Sequence, residues 1–275
     1  MFTNKIISKL KIVLRIITTL PSRIFFGNCT SFIKNIIPYR NLYYWKKIFS
    51  IKPLNKNGYE KINFNYDHKF IDKINDQFKK LIINKDKIFI FRNHDKKIFI
   101  KNPLEINGIK ELTNIFDEKL KEYFAGYYKI IKISCWRTLY DESRDSSHEK
   151  YIYSNYWHFD DYAGDILKVF VLLNENTSKE TGSTKLLNIK TTKKIARTFK
   201  YIDTSVSNNK LEKFLNEKKM IVYCDGNVGD VYIVNTSKCL HSASIPKKGE
   251  SRDLIQFEVT FSNKNVDPFE NFLKN

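Results

Sequence analysis

The sequence predicts a mainly β protein with flanking helices, built as an antiparallel sandwich or barrel. Three observations carry this. From Lys129 onward, short runs rich in Val, Ile, Phe and Tyr recur between polar turns: KIIKISCWRTLY, ILKVFVLL, MIVYC, DVYIVN and LIQFEVTF. Few helical patterns separate them, against the strand–helix alternation that a parallel sheet requires. No GxGxxG or GxxxxGK occurs, so nucleotide-binding folds built on those loops lose their support.

Composition sets the outer bounds. The 275 residues suffice for one large domain with an extension, and 42 % hydrophobic with 15 % aromatic content is too apolar for a disordered chain. Nine Gly and six Pro exclude collagen-like and low-complexity designs. The net charge of +18 is uneven: residues 1–50 carry nine Lys/Arg and no acid, whereas 151–275 carry 18 against 15. A nucleic-acid binder more often shows a basic face within its folded domain, so nucleic acid is not expected as a partner.

Taken in order, residues 1–55 form a basic N-terminal extension of short helices punctuated by Pro21, Pro38 and Pro53. Ile6, Leu10, Val13, Ile17 and Leu20 share one helical face, with Lys5, Lys9, Lys11 and Arg15 largely opposite. Such a helix over residues 4–20 suits an anionic membrane surface or a partner protein; equally, its stripe can pack on the domain. A single domain over 56–275 follows, with helical and mixed support at 56–128, a strand-rich core at 129–262 and a tail at 263–275. In the support, Phe70, Ile74, Phe78, Leu81 and Ile82 mark a helix over 67–84. KIFIFR (87–92) and KIFIK (97–101) read as strands joined by Asn93-His94-Asp95, and a second helix spans roughly Glu105 to Phe124.

Cys29, Cys135, Cys224 and Cys239 have no CxxC spacing, which reads as reduced, cytoplasmic usage. No run approaches the ~18 apolar residues of a membrane span, and Arg15 interrupts any signal-peptide core. The expected location is the cytoplasm, with the basic extension allowing peripheral contact with the inner face of a membrane. Oligomeric state is open.

Chemistry concentrates around two of the five histidines. His158 and Asp160, one residue apart, project together if their segment is a strand. His241 follows the run Gly229–Val234, 81 residues after Asp160. Two His and one carboxylate with open positions form the facial triad suited to non-haem Fe(II) oxygenases. A 2-oxo acid can chelate two of the open positions and dioxygen can take the third. If the segments around Ile245–Glu250 form a hairpin, His241 and Arg252 lie roughly opposite each other, and Arg252 can grip a cosubstrate's far carboxylate bidentately.

His158-Phe159-Asp160, His241 and an Arg eleven residues later resemble the Fe(II)/2-oxoglutarate oxygenases of the phytanoyl-CoA dioxygenase group. Gly182-Ser183-Thr184 and Gly229-Asp230 match as well, and the resemblance covers about Lys129 to Ser262. It implies a double-stranded β-helix (jelly-roll, cupin-like) core, with iron held by His158, Asp160 and His241 and 2-oxoglutarate anchored by Arg252. It also implies decarboxylation of the cosubstrate to succinate and CO2, with dioxygen consumed and a small organic substrate hydroxylated or otherwise oxidised. Two departures stand out. Where many members read Gly-Pro or Gly-Ala and later Pro-Gly-Ser-His, this chain continues Lys185-Leu186-Leu187-Asn188. The small hydroxyl residue often found two beyond the distal His is Ala243 here. Asp160 argues against the halogenating subset, which lacks that carboxylate.

Plainer readings stand beside these. Asp161 competes with Asp160 but should face the other way. Cys239 reads as core filler, Trp136 and Arg137 as core and ion-pair residues, and His68 and His94 as solvated. Asp141–Lys150, with His148, is a candidate loop over the pocket. A jelly-roll binding module without turnover, docked to a membrane or partner, is the alternative function. A cupin-like metalloenzyme without 2-oxoglutarate would leave Arg252 idle.

Overall fold

A computed structural model describes residues 57–62, 68–90, 96–124, 126–140, 156–160, 166–198, 205–206, 211, 214–215, 220–262, 265 and 267–273. The expected helix over 4–20, the turn at 93–95 with His94, the segment 141–150 with His148, and Asp161 lie outside them.

Among the described residues two antiparallel sheets form. The larger contains β1 (Tyr59–Ile62), β2 (Ile88–Ile90), β3 (Lys97–Ile100), β4 (Tyr128–Leu139), β6 (Ile166–Leu172), β10 (Val231–Val234) and β12 (Ser251–Phe261), in the order β1-β10-β6-β12-β4-β3-β2. The smaller contains β5 (Trp157–His158), β7 (Thr184–Leu186), β8 (Ser205–Val206), β9 (Val222–Tyr223) and β11 (His241–Ala243), in the order β8-β5-β11-β7-β9. After β4 the chain passes repeatedly from one sheet to the other, the connectivity of a double-stranded β-helix, or jelly roll. The mainly β architecture with flanking helices is therefore as the sequence predicts.

Period-two alternation sorts the side chains of the large sheet. Leu167, Val169 and Val171 of β6, Val231 and Ile233 of β10, and Ile255, Phe257 and Val259 of β12 join one core cluster. Ile71, Ile74 and Phe78 of helix α1 (His68–Ile82) and Leu112, Phe116 and Leu120 of α2 (Ile109–Tyr123) complete it. The support helices thus seal the outer face. The opposite residues, Phe170, Leu172, Tyr232, Val234, Leu254 and Trp136, pack with Leu186, Cys224 and Cys239 from the smaller-sheet side. That second cluster lies between the sheets. A third cluster, with Trp157, Leu187 and Leu240 against Ile195 of α3 (Ile189–Thr198), covers the outside of the small sheet. A short helix α4 (Pro268–Leu273) closes the chain, with Phe269 buried in the first cluster.

One expectation fails. β11 and β12 do not form a hairpin: β11 pairs with β5 and β7, whereas β12 pairs with β4 and β6. The Ile245–Glu250 connection crosses from the small sheet to the large one. It is anchored by Ser244 N–H donating to Ser183 O (2.9 Å) and Lys247 N–H to Glu180 O (2.8 Å). Gly182 (φ +91°) lies beneath this connection, where an added Cβ would come within 2.7 Å of Pro246 Cγ. Among the described residues no helix is long and apolar enough to cross a membrane.

Candidate metal centre

The two-residue strand β5 places Trp157 outward and His158 inward, and Leu240–His241 repeats the pattern at the start of β11. His158 and His241 are direct cross-strand partners, with ring centroids 4.3 Å apart. Asp160 follows β5, tethered by its amide donating to Thr236 O at 3.2 Å. Ligand atoms of His158, Asp160 and His241 all lie within 4.8 Å of one another.

The surroundings set tautomer and charge. His158 Nδ1 lies 2.7 Å from Tyr156 O and His241 Nδ1 lies 3.1 Å from Cys239 O. A carbonyl only accepts, so each Nδ1 carries the proton and each Nε2 presents its lone pair. Burial lowers the pKa of both imidazoles, that of His241 to about 3, so both are neutral near pH 7. Burial is the largest influence on Asp160 and opposes its ionisation, but Lys168, His241 and Thr236 together outweigh it and hold the carboxyl well below the usual carboxylate range. Two neutral imidazole nitrogens and one carboxylate on one side of a small space are the donor set of a facial-triad metal site. The residues present therefore fit Fe(II).

Arg252 approaches from the other sheet. It is 4 % exposed, and its Nη1 donates to Thr184 Oγ1 at 3.1 Å, while its Nε has no hydrogen-bond partner. Among the described residues no carboxylate lies within ion-pair distance of its guanidinium. Burial pulls its pKa down to about 10, so it stays cationic at neutral pH. Thr138, its cross-strand partner on β4, also has a buried hydroxyl without a hydrogen-bond partner. A buried cation beside unmatched polar atoms is costly unless an anion shares the space. The carboxylate end of a 2-oxo diacid fits that requirement.

Other expected roles sort out locally. Arg137 grips Asp253 through two hydrogen bonds of 2.7 and 2.6 Å, the ion-pair role expected of it, which leaves Asp253 no partner for Arg252. Trp136 is buried in the inter-sheet cluster. His68 is exposed at the start of α1. Cys239 is fully buried, its Sγ 3.5 Å from the carbonyls of Asn57 and Gly58, and burial raises its thiol to about 12. It is core filler, as expected, and lies outside the triad.

Two neighbours of the site are not among the candidate residues that the sequence marks. Lys168 Nζ lies 2.6 Å from Asp160 Oδ2, and Thr184 touches Arg252. The signal for Lys168 is a lone charge inside an apolar run. Thr184 sat in a noted motif without a role. Beyond them, Gln256 Nε2 donates to Glu258 Oε1 (2.8 Å) on the same inner face of β12 as Arg252.

No family model and no curated protein matches this chain. Solved structures do. EctD from S. alaskensis, solved with 2-oxoglutarate and 5-hydroxyectoine, aligns with TM-score 0.54 and 12 % identity over 76 % of this chain and 74 % of its own. The epimerase SnoN, in complex with Fe3+, α-ketoglutarate and nogalamycin RO, aligns with TM-score 0.52 and 11 % identity over 79 % and 84 %. HygX from Streptomyces hygroscopicus, with nickel, 2-oxoglutarate and hygromycin B bound, aligns with TM-score 0.51 and 12 % identity over 79 % and 87 %. At these identities the likeness establishes the shared jelly-roll fold.

Proposed function

We propose that this protein is an Fe(II)- and 2-oxoglutarate-dependent dioxygenase that hydroxylates or otherwise oxidises a small organic substrate. The observation that carries the reading is the pairing of two sites across the barrel: the His158–Asp160–His241 cluster on one sheet, and the buried, acid-free Arg252 on the other. The three solved proteins of this fold, all crystallised with 2-oxoglutarate and two of them also with iron or nickel, support it. Within that group, the spacing from His241 to Arg252 and the Gly182-Ser183-Thr184 turn favour a phytanoyl-CoA dioxygenase-like relationship.

His158, Asp160 and His241 would hold the iron, with Nδ1 of each imidazole fixed by a carbonyl so that Nε2 points inward. Bound iron and 2-oxoglutarate would supply the oxidising power, one atom of dioxygen entering succinate as CO2 leaves and the other entering the substrate. Arg252 and Thr184 orient the cosubstrate by its distal carboxylate. The facing cores exclude water from the space between the sheets. Gln256 and Glu258 make part of the inner wall polar, which favours a substrate bearing hydroxyl or amino groups.

Purified protein supplied with Fe(II), ascorbate and 2-oxoglutarate should release succinate, at least as uncoupled turnover, and bind one divalent metal. Arg252→Ala should abolish 2-oxoglutarate binding while leaving metal binding intact. No succinate and no metal in the wild-type protein would overturn this reading in favour of a silent binding module.

A further inference from the structure

Lys168 is the one charged residue of β6, a strand otherwise made of buried apolar side chains. Placing an ammonium there opposes the packing that the rest of the strand serves, since a buried charge is costly unless paired. Register puts Lys168 on the inner face with Phe170 and Leu172, opposite Glu258 of β12. Its Nζ lies 2.6 Å from Asp160 Oδ2, and both side chains are only 13 % exposed. That same oxygen lies 3.6 Å from His241 Nε2.

We propose that Lys168 is a positioning residue of the metal centre: its ammonium orients the Asp160 carboxylate so that Oδ2 faces the two imidazole nitrogens. The inference rests on the metal-centre reading above. Three features of the fold argue for it. Asp160 lies just past the end of the two-residue strand β5, so regular secondary structure does not fix its side chain. Lys168, by contrast, is anchored in the middle of the large sheet, paired on both sides with β10 and β12. Oδ2 accepts no hydrogen bond among the described residues despite the 2.6 Å ion pair, so its lone pairs stay available to face a metal ion. The ion pair thus reaches across the barrel from the rigid sheet to the loosely supported ligand. Lysine suits the place because a compact ammonium attracts Oδ2 as a point charge, where a forked guanidinium would engage both oxygens.

Titration of Ni(II) into wild type, Lys168→Met and Lys168→Arg, followed calorimetrically, tests this. Outer-shell partners of metal ligands typically contribute about 10–100-fold to affinity. Lys168→Met should therefore bind Ni(II) about 10–100-fold more weakly, and Lys168→Arg should recover part of the loss. The visible spectrum of bound Co(II) should differ between wild type and Lys168→Met, since a released carboxylate changes the ligand field. Equal or tighter Ni(II) binding by Lys168→Met, with an unchanged Co(II) spectrum, would overturn the positioning role alone. Failure of the wild type to bind Ni(II) would overturn the metal-centre reading itself. Should Lys168→Met not fold, Lys168→Gln carries the same expectations.

Discussion

Thr184 and Arg252 belong to different sheets, yet their side chains meet between them, Nη1 donating to Oγ1 at 3.1 Å. Thr184 is also the cross-strand partner of Ala243, the position two beyond His241 where a hydroxyl was expected from the resemblance. The hydroxyl beside the guanidinium therefore comes from the neighbouring strand. A hydrogen bond to a charged group contributes about 1.5–3 kcal/mol. Thr184→Val should accordingly weaken 2-oxoglutarate binding by about tenfold or more in calorimetry of the Ni(II)-loaded protein. Adding Ala243→Ser to that variant should restore much of the affinity, because the two β-carbons face each other. Unaltered binding by Thr184→Val would make its hydroxyl a bystander.

Arg252→Lys should not substitute for the wild type. The ammonium keeps the charge but cannot present two parallel N–H groups to a carboxylate. Its expected 2-oxoglutarate affinity is closer to that of Arg252→Ala than to that of the native protein, read in the same titration.

Acid should destabilise the fold from about pH 6.5 downward. The folded pKa of His241 is depressed to about 3 and that of His158 is lowered as well, so the unfolded chain takes up protons first as pH falls. Stability is then lost at up to about 1.4 kcal/mol per pH unit for each such histidine. Asp160 adds a loss at lower pH, because its depressed pKa gives stability that is full only above the unfolded carboxyl value. Urea unfolding of metal-free protein between pH 7.5 and 4 should show this slope, and His241→Gln should flatten it.

Arg137 and Asp253 form a partly buried ion pair on the large sheet, with the Asp253 side chain 5 % exposed. Arg137→Leu leaves that carboxylate without its cation, a change that costs about 3–5 kcal/mol when the pair is buried. Chemical denaturation should show a loss near the lower figure, since Arg137 is itself partly exposed. Arg137→Leu combined with Asp253→Leu should lose less than the sum of the single changes.

Gly182→Ala should destabilise by at least about 2 kcal/mol, since left-handed backbone costs an L-residue about 1–2 kcal/mol and the new methyl would meet Pro246. Thermal unfolding measures this, and 2-oxoglutarate affinity should fall with it because Thr184 lies two residues on.

The long strands and both support helices were legible because each has enough residues to show its period: β6, β12, α1 and α2 all coincide with runs read from the sequence. Strands β5, β7, β8, β9 and β11 have two or three residues, too few for alternation to register. Among them only β9 coincides with a run that the sequence marks as a strand, MIVYC. Helix α3 has ten residues with Ile189 and Ile195 as its only large apolar side chains, too few to mark its amphipathic face in the sequence. The spacing of His158, Asp160, His241 and Arg252 pointed to one site, but the proposed hairpin between His241 and Arg252 was incorrect. Pro246, Lys247 and Gly249 are ordinary turn residues, and nothing local distinguishes a turn within a sheet from a crossing between sheets. Lys168 was invisible as a partner of Asp160 for the same reason: only the sheet order brings them together.

Three short strands of the small sheet face two ways, with Trp157 beside His158, Leu240 beside His241 and Leu187 beside Leu186. Shifting β5 or β11 by one residue would turn an imidazole into the oily exterior cluster and an indole or leucine into the proposed iron site. Correct folding and a correct site are thus selected together, and a misthreaded barrel could not survive as a stable but inactive one. Insertions of a single residue in these strands should therefore be far more damaging than substitutions, and the chain can diverge widely in sequence while its spacing around these histidines stays fixed.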